Sequence, residues 1–220
     1  MKSKLFYSKE YLTIAKNIKL FLNRQKDFLS ERTADSPRAV GDAVQSLLED
    51  NLQNILGDNI KDYSPDFARR AMADIAFKDR DDFYYIVDIK THNINTSFNM
   101  PNLTSVERLA RFYEDDKNYF VVLLIAYVVK GTHIEVERVN FIPLEFLSWD
   151  CLTIGALGWG QIQIANSNKT NIIPLYSRKK WMLELCDTLF EFYPREIGKI
   201  ATRIKYFKKV KAFWRRKADH

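Results

Sequence analysis

The amino-acid sequence predicts an α/β fold, with a central mixed β-sheet flanked by helices. Residues 118–129 form an apolar run that fits a central strand covered on both faces. Residues 83–91 are rich in aromatic and β-branched side chains, which favour strands. Elsewhere, as in residues 1–30 and 38–56, apolar side chains recur three to four positions apart, which is typical of amphipathic helices.

The N-terminal quarter, residues 1–57, is predicted to be helical. One helix is expected over residues 1–30, with lysines on the face opposite the apolar side chains. Ser36-Pro37 is a break and start signal, and Gly57 is a stop signal, so a second helix is expected between them.

Residues 72–93 read as two strands joined by a charged turn at residues 78–82. Because side chains alternate along a strand, Asp88 and Lys90 should point to the same side. Asp74, on the partner strand, can be brought opposite them by the hairpin. The sequence therefore predicts two carboxylates and one ammonium on a single patch.

This residue set suits metal-assisted hydrolysis of a phosphodiester. Magnesium prefers oxygen ligands and keeps several waters, so Asp74 and Asp88 could hold it. The ion would polarise the phosphate, while Lys90 would steady the negative charge of the transition state. The alternative is a solvated cross-strand ion pair. The apolar residues before Asp88 argue against it, because a buried charge is costly unless it is paired or metal-bound.

The segment YIVDIKTHNINTSFNMPN, preceded by Asp74, resembles the catalytic signature of the PD-(D/E)xK nuclease superfamily. It is most similar to the HincII-like type II restriction endonucleases and more distantly to the EcoRV-like ones. The resemblance implies a restriction-endonuclease-like core with Lys90 as the catalytic lysine. It also implies a metal-ligand set of Asp74, Asp88 and Ile89. Pro65-Asp66 offers another first carboxylate. It ranks below Asp74 because the residues after it look helical.

An acidic side chain on the preceding helix is a further candidate for the site. Asp42, Gln45 and Glu49 fall three and four residues apart and so share one side of that helix. VGDAVQSLLEDN resembles the helix start of the same endonucleases, which makes Asp42 the positional match and Glu49 the longer reach. The alternative is an exposed acidic face.

Two polar segments are candidate DNA contacts. The loop at residues 91–103 follows the catalytic strand, and by the resemblance Phe98 or Met100 could enter between bases. In residues 147–170, Trp149 followed by Gln161-Ile-Gln resembles the base-reading region of the same family. Glutamine can read adenine, and a glycine loop can approach base edges. The predicted contacts are Thr91, His92, Asn93, Asn95, Phe98, Asn99, Met100, Asn102, Gly158, Gly160, Gln161 and Gln163.

The glycines at 155, 158 and 160 do not indicate a dinucleotide site. Such a site needs a strand before the glycines, a helix after them and a βαβ frame, and the sequence predicts none of these. The region is therefore interpreted as a candidate recognition loop.

The C-terminal region is predicted to be two basic helices within residues 177–217, interrupted at Pro194. The second would pack its apolar face and present Lys205, Lys208 and Lys209 to a phosphate backbone. A solvated basic face is the alternative.

At 220 residues, the chain is predicted to be one nuclease domain over 1–220, with its catalytic hairpin and core sheet at 70–145. A formal charge of +6 permits a polyanionic partner. Two cysteines and no secretory signal predict a cytoplasmic protein, and no run is long enough to span a bilayer.

The resemblance implies a homodimer that cuts double-stranded DNA at a short palindromic site and leaves 5′-phosphates. Magnesium would be the cofactor, with manganese as a substitute. A structure-selective or repair nuclease and a DNA-binding protein without catalysis remain the alternatives.

Overall fold

The computed structural model describes residues 2–64 and 73–218, and these divide into two compact units. The first unit runs to Ser177 and contains both sheets, whereas the second begins at Arg178 and is a single long helix followed by a short tail. In the described part of the chain the strands are β1 (Ile60–Ser64), β2 (Ile75–Asp79), β3 (Tyr84–Asn93), β4 (Asn102–Ser105), β5 (Asn118–Lys130), β6 (His133–Pro143), β7 (Leu152–Gly155) and β8 (Gln161–Ile164).

The central sheet has five strands in the order β1-β2-β3-β5-β6. All neighbours are antiparallel except β3 and β5, which run parallel and align Asp88 with Val122. The sheet is therefore mixed, as predicted, and β5, which lies between β3 and β6, is almost wholly buried along its first half. A smaller antiparallel sheet, in the order β4-β8-β7, forms beside it.

One of the two helices predicted before the hairpin forms as expected. The second predicted helix is confirmed, because it begins at Pro37 and ends at Leu56, with Gly57 in a positive-φ conformation after it. The helices are α1 (Lys4–Tyr7), α2 (Glu10–Arg24), α3 (Glu31–Ala34), α4 (Pro37–Leu56), α5 (Val106–Phe112) and α6 (Arg178–Trp214). Short 3-10 turns occupy Gly57–Asn59, Leu144–Phe146 and Trp149–Cys151.

Helix α4 is defined by local chemistry at both ends. The Ser36 hydroxyl accepts a hydrogen bond from the backbone N–H of Ala39, and Pro37 fills the first helical position, where its missing N–H costs nothing. The helix buries Val40, Val44 and further apolar residues at three-to-four spacing. The helix packs against β3, which brings Gln45 and Glu49 close to the end of the hairpin.

Three local expectations are wrong. Residues 1–30 do not form one helix, because Lys9 takes a left-handed conformation between α1 and α2, and α2 ends at Arg24. The sequence predicts a helix over residues 104–113 that Thr104 caps, but Thr104 lies in β4 and Ser105 precedes α5. Pro194 does not interrupt the C-terminal helix, since one proline removes a single backbone hydrogen bond while the turns around it continue.

Candidate active site

The hairpin of β2 and β3 brings Asp74 level with Asp88. The two strands pair antiparallel with Ile75 opposite Val87, and the Asp74 N–H donates to the Val87 carbonyl at 2.9 Å. Extending that register by one residue places Asp74 opposite Asp88. The sequence predicts Asp74 inside this strand, but in the structure Asp74 lies one residue before β2. The Asp66 alternative lies outside the described residues.

Asp74 is held by the backbone of strand β3. Its Oδ2 accepts a 2.7 Å hydrogen bond from the Ile89 N–H. The contact comes from the peptide between Asp88 and Lys90, so a shift of β3 along β2 would break it. Ile89, predicted from the resemblance as a metal ligand, is thus adjacent to Asp74 through its backbone.

Asp88 and Lys90 form a close pair beside Asp74. These three residues are called the corner below. The Lys90 Nζ lies 2.6 Å from Asp88 Oδ1, as expected for residues two apart on one strand. The Asp88 side chain is only 6% exposed, whereas that of Lys90 is 25% exposed. The second carboxylate oxygen of Asp88, Oδ2, is buried and has no hydrogen-bond partner.

Burial dominates the electrostatics of both carboxylates. It raises the pKa of Asp88 to about 7, against the attraction of the Lys90 ammonium, and the nearby Asp74 charge raises it further. Burial also raises the pKa of Asp74, although the Ile89 N–H and the Lys90 charge oppose this. Buried groups with shifted pKa values and a specific charge partner are concentrated at functional sites.

Helix α4 completes the corner with a polar face. Gln45 Nε2 donates to Glu49 Oε1 at 2.9 Å, and Gln45 also hydrogen-bonds the Asp74 carboxylate. The charge of Glu49 is close enough to raise the pKa of Asp74. Of the two predicted acidic residues, Glu49 therefore lies near Asp74, while Asp42 is exposed farther along the helix.

Gln45 is the residue that sequence analysis did not select. Its spacing had placed it on the same side as Asp42 and Glu49, but only acidic side chains were considered as ligands. The signal that could have identified it is the amide's capacity to donate two hydrogen bonds, which suits a position between two carboxylates.

An open cleft of about 470 Å³ lies against Lys90. One wall comes from the first turns of α4 and the other from the end of β3 and the loop after it. The walls approach closely at Gly41, where an added Cβ would lie 2.9 Å from Thr91 Oγ1. The predicted residues that line the cleft are Asp42, Ile89, Lys90, Thr91, His92, Asn93, Phe98 and Asn99.

The loop after β3 is held by hydrogen bonds to His92 and Asn168. His92 is buried, and its Nε2 lies 2.7 Å from Asn168 Oδ1, while its Nδ1 faces the Asn99 amide at 3.4 Å. Asn168 also donates to the Thr96 carbonyl at 2.9 Å. His92 is therefore placed to hold the loop rather than to present its ring to a ligand.

Other residues of this loop point outwards. Phe98 is 58% exposed and Met100 is 42% exposed, and Asn95 is also exposed. Large exposed apolar side chains on a loop that is fixed from below are consistent with a surface that meets a partner.

The small sheet displays the predicted glutamines. Gln161 and Gln163 alternate with the buried Ile162 and Ile164 along β8, so both amides lie on the same face. Gln163 Nε2 donates to Asn102 Oδ1 at 2.6 Å. A second cleft of about 480 Å³, next to Gln161, is bordered by the loop residues Leu157, Gly158 and Trp159.

The predicted glycines of the recognition loop differ in role. Gly158 is exposed with φ 58°, and an added Cβ there would meet nothing within 4 Å. Gly160 is buried with φ 124°, and its Cβ would lie 2.9 Å from Ile154 Cγ2. Gly160 therefore closes the turn between β7 and β8. The basic residues Lys205, Lys208 and Lys209 are exposed on α6, in the second unit.

The residues at the corner fit a hard cation in kind. Asp88 has a buried oxygen without a hydrogen-bond partner, and the Asp74 carboxylate lies close to it, so the pair offers the oxygen ligands that magnesium favours. In the part of the chain that the structure describes, no group of three or more His, Cys, Asp or Glu side chains is arranged to hold a metal. The set that remains is the pair Asp74 and Asp88.

Comparison with known protein families and with curated protein sequences found no match to this chain. Among the helices of residues 2–64 and 73–218, none combines the length and the apolar character needed to cross a membrane.

Proposed function

We propose that this protein is a type II site-specific deoxyribonuclease with a restriction-endonuclease-like core. It acts as a homodimer that cuts double-stranded DNA at a short palindrome and leaves 5′-phosphates. The observation that carries the proposal is the buried Asp88. One of its oxygens is 2.6 Å from the Lys90 ammonium, and the other has no partner.

A structural ion pair accounts poorly for this arrangement. Burying a charge costs on the order of several kcal/mol per ion. Only good geometry and further hydrogen bonds offset this cost. Here Asp88 Oδ2 lacks that compensation. The same carboxylate lies beside a second, half-buried carboxylate, Asp74, which adds repulsion. Such a cluster is unfavourable for folding and favours a role in binding a cation.

Each side chain has a task in phosphodiester hydrolysis. Asp74 and Asp88 would hold magnesium, or manganese in its place, with Ile89 contributing from the backbone between them. The bound ion supplies Lewis-acid polarisation of the phosphate and a more acidic water. Lys90 lines the cleft and would stabilise the negative charge that develops on the scissile phosphate. Glu49 and Gln45 would orient Asp74 from α4.

The DNA would meet the exposed surfaces around this corner. Phe98 and Met100 protrude from the loop after β3, where an apolar side chain could enter a base step. Gln161 and Gln163 present amides of the kind that read adenine. A two-fold dimer would match the symmetry of a palindrome and supply one active site for each strand.

The test is digestion of plasmid DNA of known sequence with magnesium, followed by mapping of the ends. We expect discrete fragments with 5′-phosphates from the wild type. Lys90→Ala should cut at least about 10³-fold more slowly yet still bind the same site, because only charge stabilisation is lost. Lys61→Ala is the matched control, since Lys61 also pairs with an aspartate, Asp82, but at the exposed edge of the sheet.

The outcomes separate the competing functions. Failure of the wild type to cut with either magnesium or manganese would overturn the enzyme reading and leave a DNA-binding protein. A smear, or a preference for branched over linear duplexes, would replace the restriction enzyme by a structure-selective nuclease with the same site.

A further inference from the structure

The long helix α6 carries an uninterrupted heptad pattern. Ten positions follow one another at alternating intervals of three and four residues, and eight of them are large apolar or aromatic side chains. The ten positions, called the seam below, are Leu183, Cys186, Phe190, Tyr193, Ile197, Ile200, Ile204, Phe207, Lys211 and Trp214. A repeat of 3.5 residues sustained over more than four heptads is typical of a coiled coil.

The seam is exposed along its whole length. The eight apolar side chains are between 38% and 72% exposed, and Cys186 is also exposed. The described part of the second unit contains no other helix or strand that could cover them. At 1.5 Å per residue, the seam forms an apolar stripe roughly 45 Å long. Exposed apolar side chains on an ordinary protein surface are instead scattered singly.

The area of the seam is sufficient for a stable association. Each half-exposed side chain of this size carries on the order of 100 Å². Two facing seams with sixteen such side chains would bury roughly 1,600 Å², the size of a standard specific interface. A lone helix in water is stabilised chiefly by the packing of its apolar face, so this burial would also stabilise α6 itself.

The charges along α6 favour one orientation. Residues 184–196 contain four acidic side chains and one basic, whereas residues 197–214 contain six basic and none acidic. A parallel pair would place the two basic halves side by side. An antiparallel pair would place each basic half against the partner's acidic half.

We propose that α6 of one chain pairs with α6 of a second copy as an antiparallel coiled coil through the seam. This inference deepens the proposed homodimer by naming the surface that forms it, and in that sense it rests on the proposed function. The contact is isologous, because both copies use the same surface: the acidic half of each chain faces the basic half of the other.

The heptad positions fix the register. Ile197 packs in one layer with Ile200 of the other copy, next to the two-fold axis. The layers outward from it pair Tyr193 with Ile204, Phe190 with Phe207, Cys186 with Lys211 and Leu183 with Trp214. At the flanks, this register places Asp187 beside Lys208 and Glu196 beside Arg203. Lys211 is the only charged seam position, and a polar residue there limits alternative registers.

The remaining basic residues stay on the outside. In this register, Lys205 and Lys209 occupy positions turned away from the seam, so they remain available to a phosphate backbone. Lys208 instead flanks the seam, where its charge faces Asp187 of the second copy.

The first test is sedimentation of the full chain at micromolar concentration, without DNA or magnesium. The wild type should be dimeric, and the double variant Ile197→Glu, Ile204→Glu should dissociate roughly 100-fold more readily, because four charges enter two pairs of central layers. Tyr206→Glu is the matched control: Tyr206 is 61% exposed on the same helix but lies off the seam, so the dimer should persist. A monomeric wild type, or equal effects of both changes, would overturn the proposal.

The second test uses charge and leaves the seam intact. Asp187→Lys and Lys208→Asp should each weaken the homodimer, but an equimolar mixture of the two should form a heterodimer, since every flanking pair is again opposite in sign. Only the antiparallel arrangement predicts this rescue. A mixture no tighter than the separate variants contradicts the orientation.

Cysteine oxidation gives an independent readout of the orientation. The two copies of Cys186 lie at opposite ends of the antiparallel pair, so mild oxidation should not join them. A rapid Cys186–Cys186 crosslink would indicate the parallel arrangement and overturn the register.

Two further outcomes are distinguishable from these. A monomeric wild type that binds anionic phospholipid vesicles would assign the stripe to a membrane surface and overturn the proposal. The dimer tests use neither DNA nor magnesium, so they are independent of the cleavage assay. A monomeric protein that still cleaves DNA would reject the coiled coil alone. A stable dimer without cleavage rejects the nuclease alone.

Discussion

The candidate active-site corner and the C-terminal helix depart from ordinary protein surfaces in opposite directions. At the corner, two carboxylates and an ammonium are withdrawn from water, and Asp88 Oδ2 has no partner. On α6, a stripe of isoleucines and aromatics is left in water. Both arrangements cost free energy in the isolated chain. We propose a partner for each arrangement: a cation with a phosphate at the corner, and the seam of a second copy on the helix.

The largest effect that we predict is at the corner, where removing the charge of Asp88 should increase the free energy of unfolding. In the wild type the folded pKa of Asp88, about 7, exceeds the unfolded value of roughly 3.9. The folded state therefore binds more protons between these pH values, and the contribution of Asp88 to stability is lost as pH rises through that window. Asp88→Asn, which cannot ionise, should be more stable than the wild type at pH 8 by on the order of 2 kcal/mol.

Denaturant unfolding with a chelator at pH 5 and pH 8 measures this difference. The advantage of Asp88→Asn should shrink at pH 5, because Asp88 is then largely protonated in the folded state. Asp82→Asn is the control: Asp82 is exposed and its pKa is lowered by Lys61, so it should show no such gain at pH 8. An Asp88→Asn variant less stable than the wild type at pH 8 would mean that the corner is a stabilising ion pair.

A second prediction concerns the amide between the carboxylates. Gln45 donates to Glu49 and hydrogen-bonds Asp74, so Gln45→Ala removes the group that orients both. We expect the magnesium concentration for half-maximal cleavage to rise about tenfold, an effect typical of outer ligands, with little change at saturating metal. Gln53→Ala, exposed on the same helix, should leave the titration unchanged. Equal loss at saturating metal would assign Gln45 to the chemical step.

The smallest predicted effect compares one glycine from each region. Gly41 faces Thr91 Oγ1, 2.9 Å from where a Cβ would lie, whereas Gly198 on α6 has nothing within 4 Å. Alanine is the better helix former by about 1 kcal/mol, so Gly198→Ala should stabilise its helix. Gly41→Ala should instead destabilise the protein by roughly 1 kcal/mol, because the overlap outweighs the propensity.

Thermal unfolding followed by circular dichroism checks both glycine changes. In a Thr91→Ala background the overlap is gone, so Gly41→Ala should then become stabilising. If Gly41→Ala stabilises the unmodified chain, helix α4 and strand β3 are not as closely packed as the cleft geometry requires.

Part of this arrangement could be predicted from local patterns. The helix between Ser36 and Gly57 and the mixed sheet follow from helical periodicity and alternation, which are local properties. The alternation along β3 likewise predicts that Asp88 and Lys90 share a side. Where single residues had to be judged, prediction was weaker. Pro194 was expected to break a helix that continues, and Thr104 was expected to cap a helix but lies in a strand.

The sequence by itself determined the alternation that groups Asp88 with Lys90 and the heptads of α6, because both depend only on residue spacing. Tertiary structure decided what lies across from them. The Ile89 N–H reaches Asp74, Gln45 on α4 hydrogen-bonds Asp74, and Asn168 contacts His92 from 76 residues away. Such contacts join distant parts of the chain, and local spacing does not record which distant backbone will supply a donor. Only the packing of α4 and the two sheets brings these groups into contact.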